Sequence, residues 1–534
     1  MSTSTYFRAL ALCATVVVCA PGARAATIAV PAGGNLQQAI MTAQPGDTIT
    51  LARGATYSGS FTLIPKSGDA VITIRTAGDD GLPGTGVRVS PDDAPMLAKL
   101  RSGNGAPAVQ TAPNAHHWLL LLLEIQANAG GSGDIVTLGD GSSAQTSLAA
   151  IPHDLVVDRV YVHGDPVQGQ KRGIALNSAS TTITGSYIAD IKAVGQDSQA
   201  IAGWNGPGPY TITNNYLEAA SENLLFGGAD PSVPNLVPAD ITIADNHLAK
   251  PTSWRGQNWT IKNLLELKNA RRVTIERNTI EYNWQAGQSG FAVLFTVRNQ
   301  SGGCPWCQVD HVTFQNNVVR HSAGGFQILG FDNDYPSQQT QAIVIRDNVF
   351  ADIDSQNWGG SGYFLSLTGG ARDITIDHNT IIQEHALGVI QADGAPVVGF
   401  TFTNNVAMHN SYGIIGTDHG VGNDSIAAYL PGAVIAGDVF AAGAPNRYPA
   451  GNLFPTVAQF EAQFASFSGG DYRLTPASIW RGAGTDGADL GASFVTPLGG
   501  TPSRGSQPRR CTDDGGSPPL RTSDWSFCQS VAGR

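Results

Sequence analysis

ITIADNHL (Ile241–Leu248), VTIERNTI (Val273–Ile280) and VTFQNNVV (Val312–Val319) are three versions of one pattern, in which apolar residues surround an asparagine. The spacing between successive asparagines runs from 26 residues (Asn379 to Asn405) to 39 residues (Asn278 to Asn317). The full series is Asn215, Asn246, Asn278, Asn317, Asn348, Asn379 and Asn405, with Ser186 and Asp438 at corresponding positions on either side. A sequence period of this length is typical of a solenoid, in which each period forms one coil.

The coils are predicted to consist of strands. Each period has two or three short runs of β-branched residues, separated by glycine, asparagine or aspartate and without helical periodicity. One such coil cannot bury its apolar face alone, so stacked coils are expected to form parallel sheets around a continuous core. We expect the asparagines to hydrogen-bond from coil to coil and to adopt the left-handed backbone conformation at a bend.

Composition favours one long repetitive domain over several ordinary ones. Charged residues make up 14% of the 534 residues, against about 25% in typical domains. The 64 glycines indicate many turns. A chain of this kind is expected to be all-β.

The first 25 residues resemble an export signal. Arg8 precedes an apolar core from Ala9 to Ala20, and Ala23-Arg24-Ala25 forms a small-x-small cleavage site. Cleavage after Ala25 would place the protein outside the cytoplasm, secreted or periplasmic. No later run of about 18 apolar residues predicts membrane insertion.

Charge argues against nucleic acid as a partner. Removing Arg8 and Arg24 with the signal leaves 31 − 2 = 29 basic residues against 42 acidic ones, a net charge of −13. We expect a monomer.

The cysteines that remain form two close pairs, Cys304 with Cys307 and Cys511 with Cys528, and an oxidising compartment would allow both disulfides. The motif CPWC also matches a redox motif, but here it lies in a glycine-rich insertion.

The asparagine series, the coil length and the export signal together resemble the right-handed parallel β-helix proteins of the pectate-lyase-like superfamily. The stretch NLQQAIMTAQPGDTITLARGATYSG is similar to that superfamily's opening, a short amphipathic helix followed by the first strand. Leu36, Ile40 and Ala43 would lie on one face of this helix, which would cover the open end of the stack.

The predicted organisation therefore has a β-helix over residues 26–443 and a C-terminal capping segment over 444–494. A possible helix in Thr456–Phe467 belongs to this second cap. Residues 495–534 are rich in glycine, proline and serine and are predicted to be a tail.

Seven segments that precede the asparagines align as successive strands of one sheet. Strand alternation predicts that Leu265 and Phe295 share an inward column and that Lys268 and Arg298 share an outward one. At about 5 Å between backbones, two positive charges repel by about 3 kcal/mol with an effective dielectric of 20, so the pair favours an anion. From Lys250 to Arg298 there are eight basic residues and three acidic ones, which indicates a basic strip and an acidic polysaccharide as substrate.

This pair resembles the catalytic pair of β-helical alginate lyases and chondroitinase-B-type lyases. The resemblance implies that Lys268 is the base and that Arg298 is the acid or the clamp for the substrate carboxylate. Glu266 would bind a calcium ion, with Glu222 and Asn223 as further candidate ligands. The simpler alternative is a solvated charged strip, in which Glu266 only pairs with Lys268 or Lys262.

Further candidates surround the strip. The predicted substrate-binding residues are Arg255, Lys262, Arg271, Trp254, Trp284 and His321. Tryptophans can stack on sugar rings, and arginines can pair with carboxylates. Two other functions remain open: a glycoside hydrolase that uses carboxylates such as Asp393 and Asp418 beside His419, and a glycan-binding β-helix without catalysis.

Overall fold

The computed structural model describes residues 25–493. The predicted signal peptide through Arg24, the tail over 495–534 and the Cys511–Cys528 pair lie outside the described residues. Within residues 25–493 the chain forms a right-handed parallel β-helix, as predicted, in which a typical coil contributes one strand to each of three parallel sheets.

The three sheets run the length of the molecule. Sheet 1 has 14 strands in the described part of the chain: Thr27–Val30, Thr48–Leu51, Ile72–Thr76, His116–Leu121, His153–Asp158, Ala179–Thr184, Gly208–Thr213, Ala239–Ala244, Ala270–Glu276, Val309–Gln315, Gln341–Arg346, Arg372–Asp377, Val398–Thr403 and Val434–Ala436. Sheet 2 has 13 over the same residues: Thr56–Ser58, Ala98–Arg101, Leu123–Gln126, Tyr161–His163, Tyr187–Ile191, Tyr216–Ala219, His247–Ala249, Thr279–Asn283, Val318–Ser322, Val349–Asp354, Thr380–Glu384, Val406–Met408 and Val439–Ala441.

Sheet 3 carries the seven aligned segments described above. Between residues 25 and 493 it has 12 strands: Phe61–Leu63, Val109–Thr111, Asp134–Leu138, Arg172–Leu176, Gln199–Gly203, Glu222–Phe226, Asn263–Leu267, Phe291–Thr296, Gly324–Leu329, Leu365–Thr368, Ile390–Asp393 and Ile414–Gly416.

The core consists of apolar stacks that run from coil to coil. In sheet 1, register partners form one such stack, whose members are all buried: Ile243, Ile275, Phe314, Ile345, Ile376 and Phe402. Because alternate residues of a strand point to opposite faces, every second residue of the β-branched runs points into the core, and these residues form apolar columns on the inner face of each sheet.

The asparagines form the predicted ladder at the bend between sheets 1 and 2. Asn246 donates from its backbone N–H to Asn278 Oδ1 at 2.9 Å and from Nδ2 to the same oxygen at 3.0 Å. The same two bonds join each asparagine to the next, from Asn215 to Asp438. The left-handed conformation, however, belongs to the preceding residue, such as Asp245 (φ 59°) or Arg277 (φ 54°). The prediction that asparagine itself takes it was wrong: the ladder needs the amide side chain, and the turn is made one residue earlier.

Helix α1 (Leu36–Thr42) begins at Asn35, whose Oδ1 accepts the Gln38 N–H at 2.9 Å. Its buried residues are Leu36, Ala39 and Ile40, and they belong to the main core, so the helix caps the N-terminal end as predicted.

At the other end, Phe440 on the last strand of sheet 2 packs against Tyr448 and Phe454, with ring centroids 4.8 and 6.2 Å away. Three more α-helices follow α1 in the described residues: α2 (Ser355–Trp358), α3 (Asn423–Tyr429) and α4 (Val457–Glu461). The helix expected within Thr456–Phe467 is limited to the five residues of α4.

After α4, the antiparallel strands Phe464–Ser466 and Asp471–Leu474 form a hairpin. Phe460 and Trp480 pack with residues of sheet 2 such as Ile382, so this segment covers the side of the solenoid. Short 3₁₀ helices form connections between strands: Pro91–Asp93, Leu148–Ala150, Thr252–Trp254 and Pro445–Arg447. Among the described residues, no helix has both the length and the apolarity needed to cross a bilayer.

Candidate active site on the outer face of sheet 3

Two clefts lie along the outer face of sheet 3 and meet at Lys268. The first has a volume of about 580 Å³ and is lined by Glu266, Lys268, Thr296, Arg298, Asp332 and Asp393, among others. The second has a volume of about 540 Å³ and is lined by Lys171, Arg172, Asp197, Trp204, Lys262 and Lys268, among others. Together they form an elongated surface with basic and acidic side chains along several coils.

Lys268 and Arg298 lie side by side in the first cleft. Each follows the end of a strand of sheet 3, and the Arg298 N–H donates to the Lys268 carbonyl at 2.9 Å. The side chains are 16% and 24% exposed, so both are accessible from the cleft. The sequence alignment therefore identified two cations on adjacent coils.

The details of the predicted columns were wrong. Leu265 pairs with Val293, and Phe295 pairs with Leu267, so the alignment of Leu265 with Phe295 was displaced by two residues. Both remained inward because a shift of two residues preserves the face of a strand. Strand pairing ends before Arg298, which reaches the level of Lys268 by an irregular turn.

Carboxylates neutralise both cations. Lys268 Nζ lies 3.7 Å from Glu266 Oε1. Arg298 Nη1 donates to Asp332 Oδ1 at 2.7 Å and lies 3.3 Å from Asp334 Oδ2. The alternative in which Glu266 pairs with Lys268 therefore agrees with the structure. The partners of Arg298 were not foreseen, because Asp332 and Asp334 come from the turn that follows the next strand and do not belong to the aligned columns.

Glu266 is held in a fixed position beneath Lys268. Its side chain is 2% exposed, its Oε1 accepts from Thr296 Oγ1 at 2.8 Å, and its Oε2 accepts from Asn263 Nδ2 at 2.9 Å. Such fully bonded carboxylates keep their orientation when a ligand binds.

A second carboxylate, Glu222, lies on the neighbouring strand. It is register partner of Asn263 and accepts from Gln199 Nε2 at 2.9 Å. Burial, together with the negative charge of Glu266, raises the pKa of Glu222 to about 7. Lys262 lies between Glu222 and Asp197, with its Nζ 3.5 Å from Glu222 Oε1.

Asn223 does not face this site. Its Nδ2 donates to Leu217 O and Ala249 O at 2.7 and 2.8 Å, inside the solenoid. The prediction that Asn223 assists a metal was therefore wrong, because strand alternation turns it away from Glu222.

Lys250 is a buried cation behind the site, and sequence reasoning missed this role. Its Nζ lies within hydrogen-bond distance, 2.8 to 3.0 Å, of four oxygens that share its N–H groups: Ala219 O, Ser221 O, Asn223 Oδ1 and Asn263 O. Burial lowers the pKa of Lys250 to about 7. Nothing in the sequence distinguishes this lysine from a surface one except its position just after a strand of sheet 2.

The basic strip predicted from the sequence is dispersed over the solenoid. Arg272 pairs with Asp240 at 2.6 Å and Arg277 pairs with Asp245 at 2.9 Å, both at sheet 1. Arg271 also lies in sheet 1, in register with Asp310. Because three sheets face three directions, bases that are close in sequence lie on different faces.

Most of the other predicted substrate-binding residues also lie away from the two clefts. Trp254 and Trp284 are buried in one apolar cluster with Ile261, which rules out the predicted exposed platforms. Arg255 stacks on Trp358, with its guanidinium 5.1 Å from the ring centroid. Of these residues only Lys262 lines a cleft of sheet 3.

His321 lies on sheet 2, where its Nδ1 is 2.7 Å from Asp352 Oδ2. Of the residues named for the hydrolase alternative, Asp393 lines the first cleft. His419 lies on the turn before α3, with its Nδ1 3.6 Å from Asp424 Oδ1.

The insertion after Arg298 borders the site. Cys304 and Cys307 form the predicted disulfide, with an S–S distance of 2.09 Å. The Asp230 carboxylate accepts from the Ser301 and Gly303 N–H groups at 3.0 and 2.9 Å, and Gln300 lines the second cleft.

Several solved carbohydrate-active proteins are similar to this chain at low sequence identity. No family model matches the sequence, and no curated protein matches it either. AlyGC, described as an alginate lyase of the PL6 family, is similar with a TM-score of 0.52 and 13% identity, over 79% of this chain and 53% of AlyGC.

An alginate lyase from Paenibacillus sp. str. FPU-7 is similar at a TM-score of 0.41 and 14% identity, over 69% of this chain and 98% of that one. A GH136 lacto-N-biosidase from Eubacterium ramulus is similar at a TM-score of 0.42 and 11% identity, over 81% of this chain and 68% of that one. This chain spans about half the length of AlyGC. The likeness to AlyGC shows a common β-helix fold.

Proposed function

We propose that this chain is an exported polysaccharide lyase that cleaves a uronate-containing polysaccharide by β-elimination. The observation that carries the proposal is the placement of Lys268 and Arg298 in one open cleft, bonded to each other through their backbones. Elongated clefts on a long parallel sheet suit a polymer, since successive sugars can lie across successive coils.

In the proposed reaction, Lys268 first releases its own ammonium proton to solvent, and its neutral Nζ is then the base that removes the proton from the carbon alpha to the uronate carboxyl. The electron pair of that C–H bond forms the new double bond of the uronate ring, and the bond from C4 to the bridging oxygen breaks. The leaving oxygen takes a proton from water, which reaches the open cleft, and the hydroxide that remains takes the proton that Lys268 removed.

Arg298 fits the clamp role better than the acid role. Its guanidinium is bonded to Asp332 and lies near Asp334, and these contacts fix its orientation in the cleft. A fixed guanidinium orients a carboxylate by two parallel bonds and stabilises the charge that develops on it in the transition state.

Calcium is the proposed metal, because oxygen donors surround Glu266. Glu222 Oε1 and Asn263 Oδ1 are buried and lack a hydrogen-bond partner among residues 25–493. Such oxygens suit a hard cation, although Lys262 Nζ lies 3.5 Å from Glu222 Oε1 and competes for it. Glu222, Asn263 and Glu266 would hold the ion, which would help to neutralise the substrate carboxylate.

The test is a screen of anionic polysaccharides with the purified chain, with and without chelator. Alginate, pectate and chondroitin are offered, and the ultraviolet absorbance of unsaturated uronate ends is followed. We expect absorbance from at least one polymer, and its loss in Lys268→Ala. New reducing ends without this absorbance would instead indicate hydrolysis, and binding without any product would indicate a glycan-binding protein.

A further inference from the structure

Three histidines converge on the outer face of sheet 1, far from the residues of the proposed lyase site in sequence and on another sheet. His116 and His117 begin one strand, and His153 begins the next strand in the stack. Asp69, on the turn before the preceding strand, and Asp154 complete the cluster.

The backbone explains why neighbouring histidines point the same way. Consecutive residues of a regular strand face opposite sides, but His117 has a φ of 57° and Asp154 on the next coil has a φ of 53°. The left-handed conformation at the second residue of each strand breaks the alternation, so that His117 faces outward together with His116, and Asp154 together with His153. His116 and His153 are register partners, and their rings stack with centroids 5.0 Å apart.

The donor atoms are already close to one another. His116 Nδ1 lies 2.8 Å from His117 Nδ1. Asp69, His116 and His117 each offer one ligand atom, and these three atoms all lie within 4.8 Å of one another. Ligands of one zinc ion lie at 2.0 to 2.2 Å from it, so a small approach of Asp69 would complete three bonds.

A second set of contacts orients these ligands. His117 Nε2 faces Asp154 Oδ2 at 4.0 Å, and that carboxylate oxygen lies 2.7 Å from His153 Nδ1. Metal-bound histidines characteristically donate their other ring nitrogen to a carboxylate or a backbone carbonyl, and Asp154 is the nearby carboxylate that could take this role for His117.

We propose that Asp69, His116 and His117 bind a zinc ion, with His153 and Asp154 as the supporting groups. Two imidazoles and one carboxylate form a three-ligand zinc set that leaves a position for water. Nitrogen donors exclude calcium and magnesium as the preferred ions. The ion would join the turn of one coil to the strand of the next and would stabilise the N-terminal part of the solenoid.

The cluster differs from another group of candidate ligands on sheet 2. Asp354, Glu384 and His385 also lie close together, but they include a single imidazole. Asp354 also caps α2 through Gln356 N and Asn357 N and bonds His385 Nδ1 at 2.8 Å. We therefore expect one zinc ion per chain, at the three histidines.

The experiment is calorimetric titration of the full chain, carrying no histidine tag, with zinc chloride in a buffer that does not chelate. We expect one ion per chain and a higher unfolding temperature with zinc present. His117→Asn should abolish this binding, since asparagine tolerates the left-handed backbone but supplies no imidazole. Asp154→Asn should weaken it by about 10- to 100-fold.

The matched control is His311→Asn. His311 has a φ of 52°, lies at the equivalent register position of a later strand of sheet 1, and has its Nδ1 2.6 Å from Asp310 Oδ1. It should leave zinc binding unchanged. The exposed Asp69→Asn variant, checked by circular dichroism, provides a second test that does not disturb the strand.

Absence of bound zinc, or equal binding by the native chain and the His117→Asn and Asp69→Asn variants, would overturn the proposal. So would a loss of binding in His311→Asn. Polysaccharide cleavage is not part of the readout, so this result is independent of the lyase proposal.

Discussion

Arg298 donates its backbone N–H to the carbonyl of Lys268 at 2.9 Å, and this bond holds two cations from adjacent coils at one edge of one cleft. Each cation has its own carboxylate, Glu266 for Lys268 and Asp332 for Arg298. The pair is therefore positioned by the solenoid and neutralised by neighbouring side chains. A substrate carboxylate would add to an existing network of charges.

Lys268→Ala is predicted to lower kcat on the cleaved polysaccharide by about 10²- to 10⁴-fold, because a general base is lost. The variant should also lose about 1–3 kcal/mol of stability, because the buried Glu266 carboxylate loses its charged neighbour. Steady-state kinetics and thermal unfolding measure the two effects. The control is Lys171→Ala, in the second cleft. This variant should raise KM and keep kcat within about 10-fold of the native value. A loss of kcat equal to that of Lys268→Ala would contradict the role of Lys268 as the base.

Asp332→Asn is predicted to lower kcat by about 10- to 100-fold, because Arg298 loses its buried charged partner and its orientation. It should also cost about 1–3 kcal/mol of stability. Asp334→Asn offers the matched comparison. Asp332 is fully buried and Asp334 is 69% exposed, so the second change should cost less than about 0.5 kcal/mol. Equal losses of stability in the two variants would show that burial of the carboxylate does not determine how much it contributes to stability.

Glu222→Gln is predicted to change how stability depends on pH. Burial and the charge of Glu266 raise the pKa of Glu222 to about 7 in the folded chain, whereas the unfolded value is about 4.3. Between these values the folded state retains a proton that the unfolded state has released. The free energy of unfolding should therefore fall by up to about 3 kcal/mol as pH rises from about 4.5 to 7, and be unaffected by this group below that range.

The measurement is denaturant unfolding at several pH values with chelator present, so that no metal occupies the carboxylates. The glutamine variant should lose most of this decrease. A native chain and a variant with parallel stability profiles would contradict the raised pKa.

Asn278→Ala is predicted to destabilise the solenoid by about 2–4 kcal/mol, because it removes several buried bonds at once. Asn278 Nδ2 donates to Ile243 O and Asn317 Oδ1 at 2.9 Å, and its Oδ1 accepts from Asn246. Asn333→Ala, at an exposed turn position, should change stability by less than about 0.5 kcal/mol. Thermal unfolding compares the two, and a similar small effect for both would show that the ladder does not stabilise the coils.

Part of the site could be predicted from the sequence, because alternation along a strand is a local property. Lys268, Arg298 and Glu266 were assigned to the outer face from their spacing, and they lie in one cleft. This assignment is correct although Leu265 and Phe295 are misaligned by two residues, since a shift of two residues leaves each side chain on the same face of its strand.

Other properties of the site depend on contacts between distant segments. Asp332 meets Arg298 through a turn of the following coil, and Asp197 meets Lys262 across 65 residues. Lys250 and Trp284 are buried because segments from other parts of the chain pack over them. A charge count along the sequence therefore overestimated the basic surface, because it could not include these partners.

The sequence by itself determined the coil, the inward face of the strands and the asparagine ladder, since each follows from a short pattern repeated along the chain. Only the tertiary structure decided which charges meet, which cations are buried and which face each base occupies. The physical reason is that stacking fixes the interior through repeated short-range pairing, whereas the outer surface depends on turns of unequal length that bring unrelated segments into contact.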